Sequence, residues 1–164
     1  MSDVTIYYLE MQQASDLKEK PVVAGLTICE AEIKEYRFNR FLYSLIGEAW
    51  QWFDKKNDTD EAWKAYSERD NLRTWVAYYQ GAIAGYFELE VSDEQEVEIK
   101  YFGLAPAFIG KGFGGYLLSY AIKQAWSVCD AKRLWVHTCS LDHPSALANY
   151  QARGFSLYRQ EIES

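Results

Sequence analysis

Four things are scarce in this sequence, and each scarcity removes a class of protein. Cysteine occurs three times in 164 residues, at Cys29, Cys129 and Cys139. An odd number, with no CxxC pair and no framework spacing, fits a reducing compartment better than a disulfide-stapled secreted fold. Histidine occurs only at His137 and His143, without the spacing of a ligand set, so no metal site is expected. Basic residues number 17 against 24 acidic ones, a net charge of −7. Nucleic-acid surfaces need clustered Lys and Arg, and this balance argues against one. Long apolar runs are missing: none approaches a membrane span. Met1 to Met11, carrying Asp3 and Glu10, lacks the basic start and apolar core of a signal peptide. The expectation is a cytoplasmic protein with no membrane and no nucleic-acid partner.

What the chain does have is length for one real core and an abundance of aromatic rings. At 164 residues it fits a single domain, 1–164, and 16% of it is Phe, Trp or Tyr. Thr5 to Leu9 reads as a strand and Gln12 to Lys20 as a polar loop or helical turn. From about Glu30 to Trp52 the apolar residues Ile33, Tyr36, Phe41, Leu45, Trp50 and Trp52 recur at helical spacing, with Gly47 a candidate break. Asn57-Asp58-Thr59-Asp60 is a turn and cap signal before a helix over Glu61 to Glu68.

Strands follow. Thr74 to Tyr79 and Ile83 to Val91 flank Gln80-Gly81, a hairpin turn, and Ser92 to Glu96 turns into Val97 to Leu104. In the middle strand Ile83, Gly85, Phe87, Leu89 and Val91 share one face, while Tyr86, Glu88 and Glu90 share the other. Apolar faces match when Val91 lies near Val97, a register that sets Glu90 opposite Glu98 and Glu88 opposite Lys100. A helix from Tyr116 carries Leu117, Leu118, Ala121, Ile122, Ala125 and Cys129 on one stripe. Leu134 to Thr138 is a strand, Asp142 a candidate cap for a helix running to Arg153 and stopping at Gly154, and Phe155 to Ile162 the last strand. The order predicts an α+β fold of mixed α/β layers.

Between the third strand of the meander and its helix, Gly110, Gly112, Gly114 and Gly115 crowd together. Free N–H groups at a helix N-terminus, backed by the helix dipole, suit an anion such as a pyrophosphate. Gly110 to Gly115 also satisfies G-x-G-x-x-G, so a nicotinamide-dependent enzyme has to be weighed. That reading needs an acidic residue roughly 20 positions on. Leu134 to Cys139 carries none, and 49 residues after Gly115 are too few to finish a doubly wound sheet.

Three ordered pieces resemble the GNAT superfamily of acyl-CoA-dependent N-acetyltransferases. They are Val97 to Leu104 followed by Ala105-Pro106, then Ile109 to Gly115 with its helix, then Pro144 to Phe155 with its tyrosine and closing Gly-Phe. The resemblance implies a central, mostly antiparallel twisted sheet flanked by helices. It places an acetyl-CoA-binding core at about 97–157 and variable acceptor-side helices at about 30–70. It implies that Phe102, Gly103, Leu104, Ile109, Gly110, Lys111, Gly112, Phe113, Gly114, Gly115, His143 and Asn149 contact acetyl-CoA, with no metal. The superfamily usually has Arg or Gln where this chain has Ile109, and often Asn where it has His143.

The same resemblance makes Tyr150 the acid that protonates the departing thiolate and Glu98 the base that deprotonates the amine. Two facing carboxylates, Glu90 and Glu98, would raise one another's proton affinity. His137 is the reserve base, and a water relay is a further option. Tyr36, Phe41, Tyr43, Trp50, Trp52 and Trp63 are core residues or an acceptor pocket for an ammonium group. The implied partner is a small-molecule or peptide amine, and a homodimer is a frequent state in the resembled superfamily. The rival reading is a non-catalytic acyl-CoA-binding or regulatory module of the same fold.

Overall fold

Alternating apolar side chains draw seven strands into one sheet. They are β1 (Val4–Met11), β2 (Leu26–Glu30), β3 (Leu72–Tyr79), β4 (Ala82–Val91), β5 (Glu96–Leu104), β6 (Arg133–Cys139) and β7 (Ser156–Glu163). The computed structural model describes residues 3–50, 52 and 54–163, so expectations touching Met1 and Gln51 lie outside the described residues. The strand order is β2-β3-β4-β5-β6-β1-β7. Every neighbouring pair is antiparallel except β5 with β6. Helices α1 (Tyr36–Gly47), α2 (Asp60–Ser67), α3 (Phe113–Ser127) and α4 (Ala146–Ala152) flank it. This is the expected α+β layering.

The sheet's two faces carry separate cores. Leu117, Leu118, Ala121 and Ile122 of α3 pack with Phe87, Leu89, Val97 and Ile99 on one side. Leu42 and Ile46 of α1 pack with Val76, Tyr86 and Ala105 on the other. The β3–β4 hairpin turns at Gln80 and Gly81, both with positive φ (51° and 84°), the pairing that matches strand twist.

Several local readings need correction. β2 is additional: with one residue fully buried in five, it gives almost no apolar pattern. The helix expected from about Glu30 begins only at Tyr36, where the Glu35 carboxylate accepts the Arg37 N–H, and a 3-10 turn covers Glu48–Trp50. Its buried face is Asn39, Leu42, Tyr43, Ile46 and Gly47, while Ile33 and Phe41 are 88% and 53% exposed. The phase is set by a polar and a small residue that hydrophobicity does not flag: Asn39 bonds into the sheet, and Gly47 leaves room for the Trp52 ring.

Two bulges also move residues. One on β4, where Ala84 is the extra residue opposite the Ala77–Tyr78 step of β3, turns Ala84 into the α3-side core and Ile83 to the opposite face. On β5, Val91 faces Val97 and Glu90 faces Glu98 as expected, but Lys100 is an extra residue, so Glu88 lies opposite Tyr101. A bulge absorbs one residue and flips everything beyond it.

Glu88 is 1% exposed on the α1 side. Its carboxylate accepts from Tyr66 Oη at 2.5 Å and Asn39 Nδ2 at 2.8 Å, and Asn39 also donates to Thr74 Oγ1 at 2.9 Å. Burial raises its proton affinity above the ordinary value of 4.5, with these hydrogen bonds opposing the rise. A carboxyl that holds its proton more tightly folded than unfolded contributes stability that is complete below 4.5 and is lost as pH rises through the folded value. Glu88→Gln has no proton to lose. Its Tm relative to wild type should therefore increase as pH rises above about 5 in circular-dichroism melts; a constant gap would contradict the assignment.

Candidate active site

β5 and β6 pair at Glu96↔Arg133, Val97↔Leu134, Glu98↔Trp135 and Ile99↔Val136, and then part. Beyond that point β5 keeps β4 as far as Leu104, and β6 keeps β1 as far as Cys139. The Lys100 bulge sits where the strands separate, and bulges bend and over-twist the strand that carries them. Among the described residues, the β6-facing edge of 100–104 therefore has no strand partner.

A cleft of about 470 Å³ opens there. Phe102, Gly103 and Leu104 form one wall, the glycine-rich loop another, and His143, Asn149 and Tyr150 a third. Gly110 (φ 83°) and Gly112 (φ 82°) hold left-handed backbone that other residues resist, and this turns the chain into α3. The helix starts at Phe113, one turn before the expected Tyr116. Among the described residues, no protein acceptor caps the amides from Gly110 to Gly115. Ile109 lines the cleft, whereas Lys111 is exposed and outside its lining. Asn149 Nδ2 donates to Gly114 O at 3.2 Å, which docks α4 on the first turn of α3.

A second chamber of about 330 Å³ adjoins the first and shares Trp50, Trp52, Phe102, Asp142 and Tyr150 with it. Its own lining includes Asp54, Lys100, Tyr101, His137 and Glu163. Tyr150 is buried against Phe102 and Phe155, at 6.1 and 5.7 Å between ring centroids. Burial, and then the charge of Asp142, push its phenol well above the ordinary range. Its hydroxyl has no hydrogen-bond partner among the described residues.

Asp142 does not cap α4, whose N-cap is Ser145 with no side-chain bond. It instead accepts from Trp52 Nε1 at 2.9 Å and Thr138 Oγ1 at 2.5 Å, pinning the indole between the chambers. His143 Nδ1 accepts the Ser145 N–H at 2.9 Å, and its ring meets Trp50 edge-on at 4.8 Å.

Glu98 is 7% exposed, with Oε2 3.4 Å from His137 Nδ1 and Oε1 3.6 Å from Lys100 Nζ. His137 lines the second chamber, and Glu98 lies behind it. Glu90, the carboxylate opposite Glu98, pairs with Arg69 Nη2 at 2.8 Å. Of the aromatic candidates, Tyr43 and Trp52 pack on Tyr101 and Trp63 packs on Tyr43, while Tyr36 lies under Arg40 and Phe41 points outward. Asp54, which accepts from both Tyr43 Oη and Tyr101 Oη, had no signal in the sequence. No group of three or more His, Cys, Asp or Glu among the described residues is placed to hold a metal ion.

Comparison with known proteins adds to this geometry. The profile of the acetyltransferase (GNAT) family matches residues 39–155. No curated protein matches the sequence. Among solved structures, a GCN5-related N-acetyltransferase from Kribbella flavida superposes with a TM-score of 0.69 at 16% identity, over 96% of this chain and 56% of its own. The chain thus spans little more than half the length of that protein. An aminoglycoside acetyltransferase from an uncultured soil metagenomic sample gives 0.65 at 14% identity, covering 85% of this chain and 94% of its own. The ribosomal-protein-S18-alanine N-acetyltransferase of Escherichia coli gives 0.62 at 16%, covering 82% and 79%. At such identities the likeness speaks for the fold.

The left-handed turn at Gly112 is open to test, because a Cβ there would meet nothing within 4 Å. Gly112→Ala should lower stability through backbone strain alone, by about 1 kcal/mol or roughly 3 °C in Tm. Gly112→Asn should lose less. An unchanged Tm in Gly112→Ala would mean that the turn is not held as described.

Proposed function

The chain belongs to the GNAT acetyltransferase family, and from that premise we propose that it transfers an acetyl group from acetyl-CoA to a primary amine by direct attack. The observation carrying this reading is the strand edge 100–104 left open beside the uncapped amides of Gly110 to Gly115. The two fit the cosubstrate in kind: amides at a helix N-terminus suit its diphosphate, and an unpaired strand edge suits the amide-bearing pantetheine arm. Acetyl-CoA, when bound, supplies an activated thioester.

The chain's residues supply the rest. Backbone N–H groups of Phe102 to Leu104 stabilise the charge that develops on the carbonyl oxygen. Tyr150, at the junction of the chambers, gives its proton to the leaving sulfur. His137 takes the proton from the incoming ammonium, with the Glu98 carboxylate 3.4 Å from its Nδ1. The imidazole is favoured over Glu98 itself because it is the group that lines the chamber.

Carboxylates of Asp54, Asp142 and Glu163 and the indoles of Trp50 and Trp52 surround that chamber. They suit a protonated amine, whose charge such groups attract. Two proteins of similar fold are an aminoglycoside acetyltransferase and a ribosomal-protein alanine N-acetyltransferase, and the small size of the chamber favours the small-molecule side of that range. Free Cys29, Cys129 and Cys139 support a cytoplasmic setting.

Acetyl transfer from acetyl-CoA to a panel of amines tests the reading. Tyr150→Phe should lower kcat about 10²-fold with the CoA Kd within about twofold, because the hydroxyl acts in chemistry and not in binding. His137→Gln should lower kcat/KM for the amine similarly and leave the CoA Kd unchanged. Equal loss of turnover and CoA affinity in either variant would contradict its role.

A further inference from the structure

Arg153 closes α4, three residues after Tyr150, and is 7% exposed. Its Nε and Nη1 are buried without a hydrogen-bond partner. A guanidinium with two of its three nitrogens shut away from water, and with no carboxylate paired to it among the described residues, is costly for a fold to hold. Its position gives the reason to keep it. The Cβ that Gly115 lacks would fall 2.7 Å from Arg153 Nη1 and 2.8 Å from Lys20 Cγ. The guanidinium thus lies against the third residue of α3, behind the wall of the cleft that Gly115 lines.

The surroundings keep it there unpaired. Lys18 N–H donates to Arg153 O at 2.9 Å, and Lys20 N–H donates to Ser119 Oγ at 2.9 Å, so residues 18–20 cover the outer side. The carboxylates on that segment are engaged elsewhere: Glu19 pairs with Lys123, and Asp16 accepts from Gln13. The positive end of the α3 dipole and a buried cation therefore stand side by side, an arrangement that repels itself until an anion arrives.

We propose that Arg153 is the fixed countercharge of the glycine-loop anion site, acting through the Gly115 backbone on a diphosphate bound at the N-terminus of α3. It supplies the positive charge that Ile109, an apolar residue at the mouth of the loop, does not. This rests on the reading of the loop as the coenzyme A site and adds to it a residue outside the cleft lining. The charge acts by its field rather than by contact, and burial keeps that field poorly screened by salt.

Calorimetry and thermal melts on Arg153→Met and Arg153→Lys test this, with coenzyme A, inorganic pyrophosphate and S-acetyl-N-acetylcysteamine, a thioester lacking phosphate, as probes. Arg153→Met should raise the ligand-free Tm, because an unpaired buried cation has gone. It should also weaken coenzyme A about tenfold and abolish the Tm gain from pyrophosphate. Turnover of the phosphate-free thioester should stay within about twofold, since the fold and the reacting groups are untouched. Arg153→Lys should keep most of the affinity, and serves also if the Met variant does not fold. A lower ligand-free Tm with unchanged coenzyme A affinity would make Arg153 merely structural and overturn the proposal. So would equal losses on the thioesters with and without phosphate. Wild type that binds neither coenzyme A nor pyrophosphate would remove the underlying reading as well, whereas normal wild-type binding with indifferent variants removes Arg153 alone.

Discussion

The site depends on one constraint: β5 keeps one neighbour to its end and loses the other halfway. Up to Ile99 the strand is an ordinary interior member of the sheet, with β4 on one side and β6 on the other. The extra residue at Lys100 breaks that symmetry. Past it, the backbone of 100–104 still has β4 to hold it straight, so the opening on the β6 side is a rigid notch and not a frayed edge. The same bulge turns Tyr101 to the face that already carries Glu88 and Glu98, which puts polar chemistry on the acceptor side. The apolar layer of Val97 and Ile99 stays packed on α3.

From that notch the remaining parts find their places. The loop after β5 climbs through left-handed glycines into α3 and leaves its amides, uncapped among the described residues, beside the opening. α4 docks on the first turn of α3 through Asn149 and delivers Tyr150 to the point where the two chambers meet. Asp142 ties Trp52 across the same point, joining the α1 side of the molecule to the end of β6. The result is a passage with amide-rich character at one end, Trp50, Trp52 and Asp142 at the junction, and Asp54, Glu163, Lys100 and His137 at the other. That polarity suits an anionic donor and a cationic acceptor approaching from opposite sides.

Much of this was legible locally. The hairpin at Gln80-Gly81, the register of Val91 on Val97, the glycine loop and the end of α4 at Gly154 all follow from patterns a few residues long. What was not legible depends on contacts distant in sequence. The phase of α1 follows Asn39, which is buried because it bonds to Glu88, and no hydrophobicity pattern marks it. The Lys100 bulge has no local signature, so Glu88 was set against the wrong neighbour. Asp142 looks like a helix cap until Trp52, 90 residues earlier, is seen donating to it. Arg153 looks like an ordinary end-of-helix cation until residues 18–20 fold over it.

The central claim is that the open edge of β5 and the amides of the glycine loop are one binding surface. Amide-resolved NMR with hydrogen exchange, recorded before and after adding coenzyme A, addresses it directly. The account requires the resonances of Gly110 to Gly115 to move together with those of Phe102 to Leu104, and exchange along that edge to slow. Coenzyme A binding that leaves both sets of amides where they were would contradict it.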